Sequence, residues 1–229
     1  MVEKVSPLIF AHRGASFDYP EMSMSAYLAA IRQGADGFET DLRLTKDRII
    51  VCWHDADLRR ISDCDLVIAD STLQEIKALY PVLTLQELLD LALEHRMHLA
   101  LETKHPAPTG GAIEQELLEL LEKNIEKISS SGIEIFIMSF SWLAIRRVRA
   151  SHWKRVYLIH FLWQRYFGGS AEVGPSISAL NRLHPKKIER KIFIWTANSE
   201  TQIRLCRSKG IDVMMTDRPA FARTILESA

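Results

Sequence analysis

The chain has 229 residues, 47% of them hydrophobic, and 29 Lys plus Arg balance 29 Asp plus Glu for a formal net charge of zero. That length suits one full-sized core, and the balanced charge argues against nucleic acid as a partner, since such binders carry a basic surplus. No apolar run reaches membrane-spanning length and the first residues carry no signal-peptide core, so a cytoplasmic protein without stable membrane insertion is expected.

The first apolar run, Pro7 to Ala11, leads into His12-Arg13-Gly14. Residues 22–33 place Met24, Tyr27, Leu28 and Ile31 at helical spacing and stop at Gly34. A second run, Gly37-Phe38-Glu39-Thr40-Asp41-Leu42, is followed by a third, Ile49 to Trp53, which leads into His54. Thr45-Lys46-Asp47-Arg48 between them reads as a tight turn. The run 49–54 is therefore expected to fold back antiparallel on the second strand and return His54 to the level of Glu39 and Asp41. Thr84 to Glu87 is a capping box opening a helix with Leu85, Leu88, Leu89, Ala92 and Leu93 on one stripe. Met97 to Leu101 is the next apolar run and ends in Glu102-Thr103-Lys104. Ile113, Leu117, Leu120, Leu121 and Ile128 read as one helical stripe ending before Gly132. Further strands are expected near 133–139, 155–160, 172–175, 191–196 and 212–216, with a helix between Ser199 and Gly210. Strands and helices alternate without a linker or repeat, which predicts a parallel α/β domain over residues 1–229.

Side chains alternate along a strand, so Glu39 and Asp41 share a face. Two carboxylates so placed repel unless a proton or a cation lies between them. A hard divalent cation such as Mg²⁺ or Ca²⁺, bound through oxygens, fits that pair, and Glu102 offers a third ligand. Lys104, on the same face as Glu102, and Arg13, a planar fork of donors, suit an anionic phosphate. His12 and His54 can divide general base and general acid duties near neutral pH. Together these residues are chemistry for splitting a phosphoester beside a metal ion.

The sequence resembles the glycerophosphodiester phosphodiesterases. The resemblance rests on His12-Arg13-Gly14, Pro20-Glu21, Gly34 to Asp41, Thr45-Lys46-Asp47, His54-Asp55, Leu101 to Lys104, Ser139-Phe140, Trp195 to Asn198 and Thr216 to Pro219, in that family's order. It implies a single TIM (β/α)₈ barrel, with 49–54 as a fold-back hairpin strand after the second barrel strand. It also implies metal-dependent hydrolysis of small-molecule glycerophosphodiesters to glycerol 3-phosphate and an alcohol. Glu39, Asp41 and Glu102 then match metal ligands, and His12 and His54 the acid–base pair. His12 is taken as base and His54 as acid, an order the sequence leaves open. Met22-Ser23 stand where the family usually has Asn-Thr, and Arg48 where it often has Gly. Alternatives are a lysophospholipase D or sphingomyelinase D-like activity on lipid phosphodiesters, and a non-catalytic binding protein on the same barrel, against which the intact ligand and histidine set argues.

Trp195, ending a strand, is expected to wall the glycerol side of the pocket. Phe161 to Gly169 is read first as a loop packed on the barrel rim, with a cover for the site or a contact for a lipid-like leaving group or partner subunit as alternatives. The basic cluster from Arg146 to Arg155 is read as a solvated helix end and turn. Asp217-Arg218-Pro219 is read as a turn and helix start, Arg43 as a rim residue, and Cys52, Cys64 and Cys206 as reduced thiols.

Overall fold

Nine strands form one sheet in the computed structural model, which describes residues 6–185 and 188–228; the first five residues, part of the stretch expected to lack a signal-peptide core, lie outside the described residues. They are β1 (Leu8–His12), β2 (Gly37–Leu44), β3 (Ile50–Cys52), β4 (His98–Thr103), β5 (Ile135–Ser139), β6 (Lys154–Ile159), β7 (Glu172–Pro175), β8 (Phe193–Ile194) and β9 (Val213–Thr216). All pair in parallel in the order β7-β6-β5-β4-β2-β1-β9-β8, except β3, which pairs antiparallel with β2. Parallel bridges Val173–Ile192 and Ser176–Trp195 bring the two ends of that order together, and the eight parallel strands form a nearly closed TIM barrel.

Strand alternation separates two cores. One face of the strands carries Phe10, Ala100, Phe136, Val156, Phe193 and Val213, which pack together inside the barrel. The rings of Phe10, Phe136 and Phe193 meet edge to face, with centroids 4.8–6.4 Å apart. The other face carries Ala11, Phe38, Leu42, Leu99 and Ile137, which pack with the helical residues Tyr27, Leu88 and Leu117. Gly37 is needed for this filling, because a Cβ there would stand 2.7 Å from the His98 carbonyl oxygen and 2.9 Å from the Phe10 ring. The capping box expected at Thr84 forms, as do boxes at Thr72 and Ser199, and Gly210 ends its helix in the left-handed conformation.

The fold-back strand takes a particular place. Arg13 N–H donates to the Glu39 carbonyl (3.0 Å) and Trp53 N–H to the Asp41 carbonyl (2.9 Å). Carbonyls two residues apart on a strand point to the same edge, so β3 runs along the edge of β2 that β1 leaves after His12. Cys52 N–H donates to the Leu83 carbonyl, which covers the outer edge of β3. The hairpin turn places Arg48 at φ +63°, a left-handed position where Gly is the unstrained choice.

The long helix expected to end before Gly132 is two helices, Ala112–Lys123 and Ile125–Ser131. Asn124 breaks it: its side-chain amide donates to the Leu120 carbonyl (2.9 Å) and to Gln86 (3.2 Å), competing with the helical ladder. Lys154 and Arg155 lie within β6 rather than in the turn before it. Gly37→Ala is expected to destabilise the barrel by about 1–3 kcal/mol through overpacking. Denaturant unfolding measures it, and an unchanged midpoint would contradict the role of this close approach.

Candidate active site

The three carboxylates meet through strand register. Glu39 and Asp41 project from the same face of β2, and Glu102 on β4 is the register partner of Asp41. All three are buried, and each offers an oxygen within 4.8 Å of the others. Lys104 Nζ stands 3.1 Å from Asp41 Oδ1 and 2.8 Å from Glu102 Oε1. Arg13 Nε lies 2.8 Å from Asp41 Oδ2 but not in hydrogen-bonding alignment, so both atoms, and Glu39 Oε2, lack a hydrogen-bond partner among the described residues. Buried carboxylate oxygens without donors are costly to maintain in a bare protein. Their number and chemistry suit a hard cation.

Arg13 reaches this position through a local backbone feature. It has φ +59°, a left-handed conformation unusual for a non-glycine residue. Its carbonyl accepts from Met22 N–H at 2.9 Å, and Met22 is itself left-handed at φ +54°. Asn tolerates that conformation better than Met, so Met22 is the more strained choice here. The following Ser23 caps the next helix, accepting from Ala26 N–H.

Each histidine is fixed by an aspartate. His12 Nδ1 lies 2.6 Å from Asp217 Oδ1, leaving Nε2 toward Glu39, 3.8 Å from its Oε2. His54 Nδ1 lies 2.7 Å from Asp55 Oδ1, which leaves its Nε2 free of that bond. A chain of ion pairs links the second histidine back to the first loop: Asp55 to Arg60, Arg60 to Glu21, and Glu21 to Arg13. Arg43, expected at the rim, donates to the His54 carbonyl from Nε (3.1 Å) and Nη2 (2.8 Å) and so anchors that histidine's backbone.

Asp217 does more than form the expected turn. Asn198 Nδ2 donates to its Oδ2 at 2.5 Å, and Ser16 Oγ donates to its Oδ1 at 3.2 Å. The signal that could have found it is period two: Val213 and Met215 fill the barrel interior, and Asp217 is the next position on that face. The same rule places Phe140, His160 and Trp195 one step above the interior layer on β5, β6 and β8. Phe140 stacks on His160 (4.6 Å) and meets Trp195 edge to face (5.2 Å), while Trp195 Nε1 donates to the Gly174 carbonyl (2.8 Å). The mouth thus has a charged side and an aromatic side.

Burial and mutual repulsion set the titration of the site. Burial, with Asp41 adding to it, pushes Glu39 up to about 7 and Glu102 up to about 8. Burial acts on Asp41 in the same sense, but Lys104 and Arg13 overcome it and hold that carboxyl below its ordinary value. Burial disfavours the His12 imidazolium, yet Glu39 and Asp217 outweigh it and raise its pKa. For His54 burial wins over Asp41 and Asp55, and its pKa is lowered.

The model of the glycerophosphoryl diester phosphodiesterase family matches residues 12–221. The chain belongs to that family, and is an enzyme of the phosphoric diester hydrolase class. A probable glycerophosphodiester phosphodiesterase 1 of Mycobacterium tuberculosis is 31% identical, over 96% of this chain and 93% of the relative. A glycerophosphodiester phosphodiesterase of Bacillus altitudinis is 27% identical over 96% and 98%. The crystal structure of the glycerophosphodiester phosphodiesterase of Thermotoga maritima superimposes with a TM-score of 0.82 at 25% identity, covering 96% of this chain and 99% of that one. An Oleispira antarctica phosphodiesterase, solved in complex with the product sn-glycerol-3-phosphate, shares the fold at a TM-score of 0.82 and 24% identity, over 97% of both chains.

Asp217→Asn removes the carboxylate that helps raise His12. The His12 pKa, followed by NMR in metal-free protein, is expected to fall; an unchanged value would show that the Asp217 contact does not set this histidine's charge.

Proposed function

We propose that this enzyme hydrolyses glycerophosphodiesters to glycerol 3-phosphate and an alcohol, with Glu39, Asp41 and Glu102 holding one divalent cation, Mg²⁺ or Ca²⁺. The observation that carries this reading is the buried carboxylate cluster with orphaned oxygens on Glu39 and Asp41, set between two aspartate-fixed histidines and two cationic side chains. The family membership and the product complex of the Oleispira antarctica relative support the substrate class.

The cation, when bound, supplies Lewis-acid polarisation of the phosphoryl oxygens. The chain's own groups do the rest. With Asp41 and Glu102 committed to the cation, the Lys104 ammonium and the Arg13 fork are released to bind the phosphate and orient it. One histidine takes the proton of the attacking oxygen through its free Nε2, and the other gives a proton to the leaving alcohol. His12 is assigned as base, because a ligated Glu39 no longer raises its pKa, while burial and Arg13 favour its neutral form. His54 is assigned as acid, with Asp55 stabilising its protonated form. A specific observation favours the exchanged order: without a cation His12 is raised and His54 lowered. Trp195, with Phe140 and His160, walls the side of the pocket facing the ligands and orients the glycerol by apolar contact.

Chelation is expected to abolish turnover of glycerophosphocholine, and Glu39→Gln, Asp41→Asn or Glu102→Gln to lower kcat at least ~100-fold each. Full activity in chelated enzyme sinks the proposed site. Because Glu39 and Glu102 hold protons until about 7 and about 8, a cation must displace them. Cation affinity should rise as pH climbs through that range and flatten above it. Calorimetry in buffers of different ionisation heat should show proton release, and binding at the same strength throughout would contradict it. His54→Ala should slow a choline leaving group more than p-nitrophenol, which needs little protonation. A larger selective loss in His12→Ala exchanges the two roles.

A further inference from the structure

Large aromatic side chains that stay in water are unusual on a monomeric surface unless something covers them. Here they lie on connections that start from one end of the barrel. Phe161, Trp163, Tyr166 and Phe167, on the loop after β6, are 62%, 59%, 72% and 58% exposed. Phe17, on the loop after β1, is 64% exposed, and Trp142, just after β5, is 42% exposed. All lie on segments that leave the C-terminal ends of strands, the end that carries the active-site mouth. In the ring of strands they mark the two ends of an arc of six, β5-β6-β7-β8-β9-β1, with the rings themselves after β5, β6 and β1.

The β6 loop packs on the rim, as expected, through Leu162, which is half-buried against the core beside β8 and β9, and through buried Gly168, but its four large rings stay outside. It is nonetheless a braced platform. Gln164 Oε1 accepts from the backbone N–H of His160 and Phe161, and Arg190 donates to the carbonyls of Gly169 and Ala171. Phe161 stacks on Trp163 and Trp163 meets Phe167 edge to face, so the rings lean on one another at the surface.

Arginines accompany the aromatics in a repeated arrangement. Arg165 lies over the Tyr166 ring at 4.4 Å, Arg218 over Phe17 at 4.3 Å and Arg146 over Trp142 at 5.4 Å. None of the three has a carboxylate within ion-pair distance among the described residues, although the chain as a whole is neutral. Several acidic groups near this end are already paired, Asp55 and Asp65 with Arg60 and Arg59 on the β3 side and Glu200 with Arg204, whereas Asp18 accepts from the neutral Gln33 and keeps its charge. The arc therefore presents apolar rings with uncompensated guanidinium groups beside them. Aromatic rings settle at the glycerol level of a bilayer, and arginines keep their charge at the phosphate level.

We propose that this arc docks the barrel mouth onto an anionic phospholipid surface. The docking is peripheral, since no helix among the described residues is long and apolar enough to cross a membrane. It would hold the mouth where phosphodiesters released from lipids, or lysolipids still seated in the bilayer, arrive. The binding itself stands whether or not the hydrolytic reading holds.

Cosedimentation with vesicles of phosphatidylcholine, alone or mixed with phosphatidylglycerol, tests it. The purified chain should sediment with the anionic vesicles at low salt, much less with neutral ones, and be released by high salt. Arg146→Gln and Arg165→Gln should each weaken partitioning about fivefold. Trp163→Ala/Phe167→Ala should lose it while keeping the wild-type Tm, since these rings are outside the core. Quenching of tryptophan fluorescence by brominated acyl chains should vanish in the same double variant. The proposal is overturned if the chain ignores anionic vesicles, if neutral vesicles bind it equally, or if the variants bind as wild type. It is also overturned if light scattering shows a dimer that the double variant dissolves, which would make the arc a contact between two copies.

Discussion

Three carboxylates buried within 4.8 Å of one another are the constraint around which this molecule is arranged. Without compensation, each desolvated oxygen would cost on the order of 1–3 kcal/mol or more. The fold meets this with two half-buried cations, Arg13 and Lys104, and with protons retained on Glu39 and Glu102 up to about 7 and about 8. The compensation is partial, because Glu39 Oε2 and Asp41 Oδ2 keep no hydrogen-bond partner among the described residues. That residue of unsatisfied charge is what a cation would relieve, and it couples the site's stability to its chemistry. Strain is placed at the same spot: Arg13 and Met22 both hold left-handed backbones to set the guanidinium against Asp41.

The two histidines serve this centre from one edge of β2. His12 ends β1 where that strand leaves the sheet, and β3 then occupies the vacated edge and delivers His54. A barrel strand and a hairpin thus supply groups that an ordinary (β/α) repeat would set on separate strands. Each histidine is held by a carboxylate at Nδ1, but from different distances along the chain. Asp55 is adjacent to His54, whereas Asp217 is 205 residues from His12.

That difference marks what the sequence could and could not reveal. The period-two placement of Glu39 and Asp41, the ends of the apolar runs at His12 and Glu102, and the turn before Ile49 are local patterns, and the barrel with its fold-back strand is legible from them. The capping boxes at Thr84 and Ser199 are equally local. Asp217 escaped because its partner is brought to it only by closure of the sheet, β1 lying beside β9. The break at Asn124 escaped because its apolar stripe continues across it, while the side-chain bonds that interrupt the helix carry no hydrophobic signal. Arg43 escaped for a third reason: its reach back to the His54 carbonyl depends on the length of the side chain and the path of the hairpin.

The division of the mouth into a charged side and an aromatic side follows from the same alternation, since one further inward step on each strand passes from the apolar filling to these groups. Everything proposed for the charged side depends on a cation meeting Glu39, Asp41 and Glu102 together. Crystals grown with Mn²⁺ and measured for anomalous scattering test this most directly. A single strong peak within ligand distance of all three carboxylates is the predicted result, and it should disappear in Asp41→Asn crystals. Mn²⁺-grown crystals of the unaltered protein with no peak there, or with the metal held elsewhere, would contradict the account.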